Sequence, residues 1–166
     1  MKHFVASATT DTFVLSGLSI ASALTVTELH DALGSPDRIV SGGHPAPSGY
    51  RNNQIHIYDK FGIYLNEHHF THLLCSVTFV LDLDFSPFPP AQPFSGTVAI
   101  GDLVVSQPFS ECDIAQTGLP FQKELGLWTL TGDSPNWIGL ESKGKIVHSV
   151  SVSVPHDPHD DSHRPE

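Results

Sequence analysis

The sequence predicts an α+β fold: two duplicated helix-plus-antiparallel-sheet units sharing one curved sheet of about seven or eight strands. Three observations predict it. Leu24–Pro36, LTVTELHDALGSP, spells a helix start, one apolar face and a stop. Leu73–Asp84, LLCSVTFVLDLD, alternates as a half-covered central strand does. Segments of the second half also repeat segments of the first in the same order.

The helix comes first because its signals are the most local. Thr25 suits the N-cap and Glu28, three residues on, can return the hydrogen bond; Leu24 and Leu29 are spaced as a hydrophobic staple. Val26, Leu29 and Leu33, with Ala32 beside them, line one face, and Gly34 and Pro36 end it. A single apolar stripe needs a flat partner, so the rest of the chain is read as sheet. Residues 1–11 are Ser/Thr-rich and expected to be loosely held. Phe13–Ile20, FVLSGLSI, reads as two short strands about Ser16-Gly17. After the helix, Ser41–Tyr50 is a Gly/Pro-rich loop that Arg51, Asn52 and Asn53 lead out of. Gln54–Leu65 reads as a hairpin turning at Asp59–Gly62. Beyond the polar break Asn66–His69, the central strand is expected to place Cys75, Val77, Phe79 and Leu81 on one face.

Phe85–Phe94, FSPFPPAQPF, carries four prolines and is excluded as helix or central strand, which makes it the connector between halves. Beyond it Val98–Val105 matches Phe13–Ile20 at an offset of 85, and the same offset sets Ser110–Gly118 where the first helix stands. Trp137–Ser142 matches Gly62–Glu67 at an offset of 75, and His148–Val154 matches Cys75–Leu81 at 73. The organisation expected is a first unit over 12–84, a second, degenerate unit over 94–154, and a disordered acidic and His-rich tail over 155–166.

The formal net charge is −10 in 166 residues, which disfavours nucleic acid and anionic membrane and favours a basic partner. No run of about 18 apolar residues suggests a membrane span, and the N-terminus lacks a secretory h-region. The expected location is cytoplasmic. Cys75 and Cys112 form no motif; Cys75 is expected as a buried thiol, and a disulfide between them is not supported.

Chemistry-bearing motifs are sparse: no GxSxG, HExxH, P-loop or GxGxxG occurs. Glu67, His68, His69 and His72 gather four metal-type ligands in six residues. On a strand His68 and His72 would stand about 13 Å apart, so a polar turn is the preferred reading over a metal site. The tail histidines His156, His159 and His163 sit among aspartates and could bind a divalent metal weakly, with a disordered end the preferred reading. The aspartates fall at expected turns and strand ends. The chain is therefore read as a non-enzyme with no cofactor and no metal. Tyr50, Arg51, Asn52 and Asn53 close a loop and enter the sheet edge, a contact surface in a rigid frame, although Arg51 could equally pair with Asp59 or Glu67. Tyr58 and Tyr64, with His56 and His68, could extend one polar-aromatic sheet face; Trp128 and Trp137 are read as core.

The order LGSPDR (Leu33–Arg38), IYDKFGIYL (Ile57–Leu65) and VTFVL (Val77–Leu81) resembles the helix-plus-sheet unit of the small outer-membrane assembly lipoproteins and of the β-lactamase inhibitor protein. The resemblance implies tandem units whose helices cover one face of a shared sheet and whose other face binds an enzyme. The lipoprotein role does not carry over, since no Cys lies near the start, and no inhibitor contact residue aligns. RNNQIHIYDKFGIYL, with the FSG and SVSV segments, is similar to an uncharacterised bacterial family of polymorphic-toxin and type VI secretion neighbourhoods. That implies a cytoplasmic immunity protein neutralising a basic toxin domain. Tyr50, Arg51, Asn52, Asn53, His56, Tyr58, Asp59, Tyr64, Glu67 and His68 are the candidate contacts. The alternatives are a non-inhibitory adaptor or chaperone-like module of a secretion system and, behind it, a metal-dependent hydrolase using Glu67, His68 and His72.

Overall fold

Helix α1 (Val26–Leu33) forms as its caps dictate: the Glu28 carboxylate accepts the Thr25 amide at 2.8 Å, the Thr25 hydroxyl accepts the Glu28 amide, and the chain leaves through Gly34 at φ +88°. This computed structural model describes residues 5–8, 12–20, 24–42, 53–68, 72–131 and 136–154. A shorter helix α2 (Glu111–Gln116) starts at Ser110, whose amide donates to Asp113 at 2.8 Å.

The strands are β1 (Val5–Ala8), β2 (Phe13–Leu15), β3 (Leu18–Ile20), β4 (Arg38–Gly42), β5 (Asn53–Tyr58), β6 (Ile63–Glu67) and β7 (Leu74–Val80) in the first half of the chain. The second half adds β8 (Thr97–Ile100), β9 (Leu103–Val105), β10 (Phe121–Glu124), β11 (Leu127–Leu130), β12 (Trp137–Lys143) and β13 (Ile146–Ser153). Among the described residues they build an eight-stranded antiparallel sheet, β10-β11-β12-β13-β7-β6-β5-β4, and a five-stranded mixed sheet, β3-β2-β1-β8-β9, in which β1 and β8 run parallel. The α+β class stands, and it is rich in β.

Two expectations are corrected. One shared sheet was expected, but the hairpins preceding each helix leave it and form the second sheet. Residues 5–8, expected to be loose, form the central strand of that second sheet. Ala6 and Ala8 are fully buried there.

The two sheets and both helices enclose one core. Phe13 from the small sheet meets Phe79 from the large one edge-on at 6.4 Å, and Phe94 packs on Phe79 at 5.0 Å. Val26 and Leu29 of α1 and Ile114 of α2 close its sides. Core residues of β5, β6, β7, β13 and β12 recur at alternate positions, as the pleat requires: Tyr58, Ile63, Phe79, Val150 and Leu140 face inward in one register row. Cys75 does not join them. It is the extra residue of a bulge opposite Asn66 and Glu67, which turns Leu74 inward in its place; both cysteines are free thiols.

Registers on the two sides of the large sheet correspond. Thr78 pairs with Ser151 at the β7–β13 seam, and their hydroxyls lie 3.0 Å apart. Moving outward, Ile63↔Phe79 and Leu65↔Val77 on one side answer Ile138↔Val152 and Leu140↔Val150 on the other. The bulge at Asn66/Glu67 answers one at Glu141/Ser142, with His148 in the position of Cys75. Each helix start is stitched alike: isolated bridges join Thr25 to Leu73 and Ser110 to Ile146. The Val26 amide donates to the His72 carbonyl, and the Glu111 amide to that of Lys145.

The proline-rich connector is held rather than loose. Arg38 donates to the Pro89 carbonyl at 2.6 Å and to both Asp59 oxygens, while the Ala91 amide reaches Asp59 at 2.7 Å. The Arg38 guanidinium holds the Asp59 carboxyl below its usual range. The Phe94 amide donates to Val80 at 2.7 Å. A Cβ on Gly62, at φ +70°, would stand 2.1 Å from the Phe94 nitrogen, so the close crossing of connector and hairpin requires glycine.

Candidate functional site

With one face of the eight-stranded sheet turned to the core, its other face is the site candidate. Pleat and register set a row across it: Ile57, Tyr64, Thr78, Ser151, Gly139 and Thr129, from β5 to β11. A neighbouring row holds Ile55, Asn66, Ser76, Ser153 and Trp137. Asn66, Ser76, Ser151, Ser153 and Thr129 are half-exposed, and Trp137 is 41% exposed. The Trp137 ring lies over Gly139, where a Cβ would come within 2.4 Å of it. Trp137 is thus a surface residue, against the expectation that it is core; glycine across the pleat lets the indole lie flat. Trp128 does pack against the core.

The connector covers one margin of this face, where Phe88 meets Tyr64 edge-on at 5.6 Å. Burial raises the Tyr64 phenol above its ordinary value, so it is a neutral donor at physiological pH. Ser149 donates to Glu141, a carboxylate standing exposed at the rim. Small hydroxyls, an amide and an indole give this face hydrogen-bond donors and acceptors beside a flat apolar ring.

The expected contact residues divide. Tyr50, Arg51 and Asn52 lie outside the described residues. Asn53 donates to Asn66 at 3.0 Å and joins Tyr64 on the outer face. Asp59 is occupied by Arg38 and the connector. His56 and Tyr58 point the other way, 4% and 1% exposed, so the single polar-aromatic face expected of Tyr58, Tyr64 and His56 is replaced by two faces. A strand reverses its side chains at each residue, and 58 and 64 are paired to 63 and 57, not to each other.

The inward group forms a second cluster. The Glu67 carboxylate, buried on β6, accepts from His72 Nδ1 at 2.6 Å and from His56 Nε2. The His30 ring of α1 lies tilted against His56 at 5.0 Å and edge-on to Tyr58 at 6.4 Å. His56 Nδ1, His30 Nε2 and the Tyr58 hydroxyl are buried without a protein partner. Burial raises the Glu67 pKa, but hydrogen bonds from His72 and His56 outweigh it and hold the group below its usual range. Burial and the neighbouring His56 lower His30. His68 follows Glu67 at the strand end and is half-exposed. Among the described residues no group of three or more His, Cys, Asp and Glu side chains is arranged to hold a metal ion.

Sequence reasoning passed over His30, Arg38, Asn66 and Glu141. His30 and Asn66 were within its reach, the first by helical spacing from Val26 and the second by alternation with Tyr64.

Residues 7–109 match the family model described as "Domain of unknown function (DUF7738)", and the chain belongs to that family. No curated protein and no solved structure matches the chain. Among the described residues no helix is long and apolar enough to cross a membrane.

Proposed function

We propose that this member of the DUF7738 family is a protein-binding inhibitor, most concretely a cytoplasmic immunity protein that neutralises a cognate toxin by covering it with the outer face of the eight-stranded sheet. One observation carries the reading: α1 and α2 both bury their apolar residues in the core, and the sheet's second face presents Asn66, Ser76, Ser151 and Ser153, flanked by exposed Trp137 and Glu141. The net charge of −10 supports a basic partner, because attraction at long range raises the rate of encounter. The binding mode needs no cofactor and no catalytic group.

The same reading holds that the two helix-plus-hairpin halves are duplicated copies. Its support is the shared register: one offset relates Thr25 to Ser110 and Phe13 to Val98, another relates Leu73 to Ile146 and Thr78 to Ser151. Two copies meeting at Thr78 and Ser151 produce a sheet wide enough to cover an enzyme's mouth.

The test is co-expression with the product of the adjacent gene. The reading predicts growth rescue, a stable complex, and an association rate that falls steeply with salt. A stable complex without rescue would favour an adaptor of a secretion system instead. A partner that neither harms nor binds would refute both.

A further inference from the structure

A cleft of about 440 Å³ opens where β7 ends and β13 begins, two strand ends that antiparallel pairing sets side by side. Pro108, Phe109 and Ile146 give it apolar walls, Gln107 adds an amide, and Asp82 is the charged residue of its lining. Its size falls within the range of about 300–1,000 Å³ usual for binding clefts.

The backbone around the cleft is one that the first half also builds. The Leu81 and Val147 amides donate to His148 and Phe109, as the Val154 and Leu74 amides donate to Cys75 and Leu24. The side chains differ in what covers them. Leu73 is half-buried, whereas Ile146, in the corresponding place, is 56% exposed. The framework therefore does not demand an apolar side chain open to water here.

Asp82 is firmly placed. Its Oδ1 accepts the Asp84 amide at 3.1 Å at the start of a 3₁₀ turn, Leu83–Phe85, and its own amide donates to the His148 carbonyl at 3.0 Å. A carboxylate has about four acceptor positions, and the Asp84 amide uses one. In the same turn Phe85 carries the Lys143 ammonium over its ring at 4.4 Å, so the surface beside the cleft already receives a cation. Lys143 and Lys145 are not among the lining residues, and no second charge in the lining opposes Asp82.

We propose that this cleft is the seat of an arginine side chain of the protein partner, its methylenes lying along Pro108 and Ile146 and its guanidinium paired with Asp82. The proposal rests on the reading of a basic partner given above and names one of its contacts. Arginine suits the site because its stem covers apolar surface while its planar head matches a carboxylate and still has donors for the amide at Gln107.

The test is a two-dimensional NMR titration of the full chain with N-acetyl-arginine methylamide and with the matching citrulline compound, an uncharged isostere. The arginine probe should bind saturably, with shifts centred on the amides of Asp82, Gln107, Phe109 and Ile146. The citrulline probe should bind about tenfold more weakly, the difference between a charge-assisted and a neutral contact. D82N keeps the oxygen that accepts from Asp84 and should bring the arginine probe to the citrulline level. D102N, which removes an exposed carboxylate from the turn between β8 and β9, should change nothing. Shifts spread over the acidic surface, equal binding of the two probes, or an arginine affinity unchanged in D82N would overturn the proposal. No partner protein is present in the titration, so the two readings fail separately. Growth rescue beside an unresponsive cleft overturns the arginine seat alone, and a responsive cleft without rescue overturns the inhibitor reading alone.

Discussion

The two helix starts of this molecule are stitched to the large sheet by the same backbone hydrogen bonds and filled by different side chains. At one, Thr25 caps, Glu67 lies buried and His72 closes the contact; at the other, Ser110 caps, Ser142 sits at the bulge and Lys145 closes it. His56 has Trp128 at the corresponding register position, with Lys123 over the indole at 5.3 Å. Register and bulge are what this architecture demands. The chemistry inside the bulge is free, so the buried charge of the first half is a property of this chain rather than of its fold.

That contrast can be broken most severely at Gly62, whose counterpart is Trp137, a residue that lays its ring over Gly139. G62A would drive a Cβ into the Phe94 backbone at φ +70°; a loss above about 3 kcal/mol in urea unfolding is expected, against a small change for W137A. Next come Leu29 and Ile114, the matched helix anchors, both buried in the common core. Truncation of either to Ala should cost about 2–5 kcal/mol by denaturant unfolding, and a cost confined to one would separate the halves energetically.

A smaller effect is expected at the bulge. E67A strips His56 of its acceptor and should cost about 1–3 kcal/mol, whereas S142A, on the half-buried side, should cost less. Acid titration carries the sign. Glu67 and Glu111 have folded pKa values below the ordinary 4.5, Glu111 held at about 2 by Lys123 and then Ser142. Their contributions are complete above that ordinary value and disappear as pH falls through the folded ones. Urea midpoints should therefore fall on acidification below about pH 4.5, and E67Q should flatten part of that slope. The smallest effects belong to the caps: T25A should cost about 1 kcal/mol in thermal unfolding, and S110A less, because the Ser110 hydroxyl donates to Asp113 and accepts no helix amide.

Elements with local signals were legible in the sequence. Thr25, Glu28 and Gly34 specify α1 within ten residues, and the turn at Asp59–Gly62 fixes the β5–β6 hairpin. What escaped reading was set by partners distant in the chain. β1 looks like a loose Ser/Thr segment, and only its parallel pairing with β8, some ninety residues away, makes it a central strand. β4 and β10 are edge strands whose largely exposed side chains give no inward alternation to betray them. The candidate contact residues were half legible for a related reason. The hairpin was found, yet which face of it is covered depends on the second sheet, and that sent His56 and Tyr58 inward while leaving Tyr64 and Asn53 outward.

The most direct test of the account is to introduce a positive charge at the centre of the open face. Ser151 lies half-exposed at the seam of the two halves, and S151R places a cation where the proposed basic partner would land. The variant should fold with near-native melting behaviour and lose both growth rescue and the complex on co-expression with the adjacent gene's product. Rescue and binding at the level of the unaltered protein would contradict the claim that this face is the one that binds.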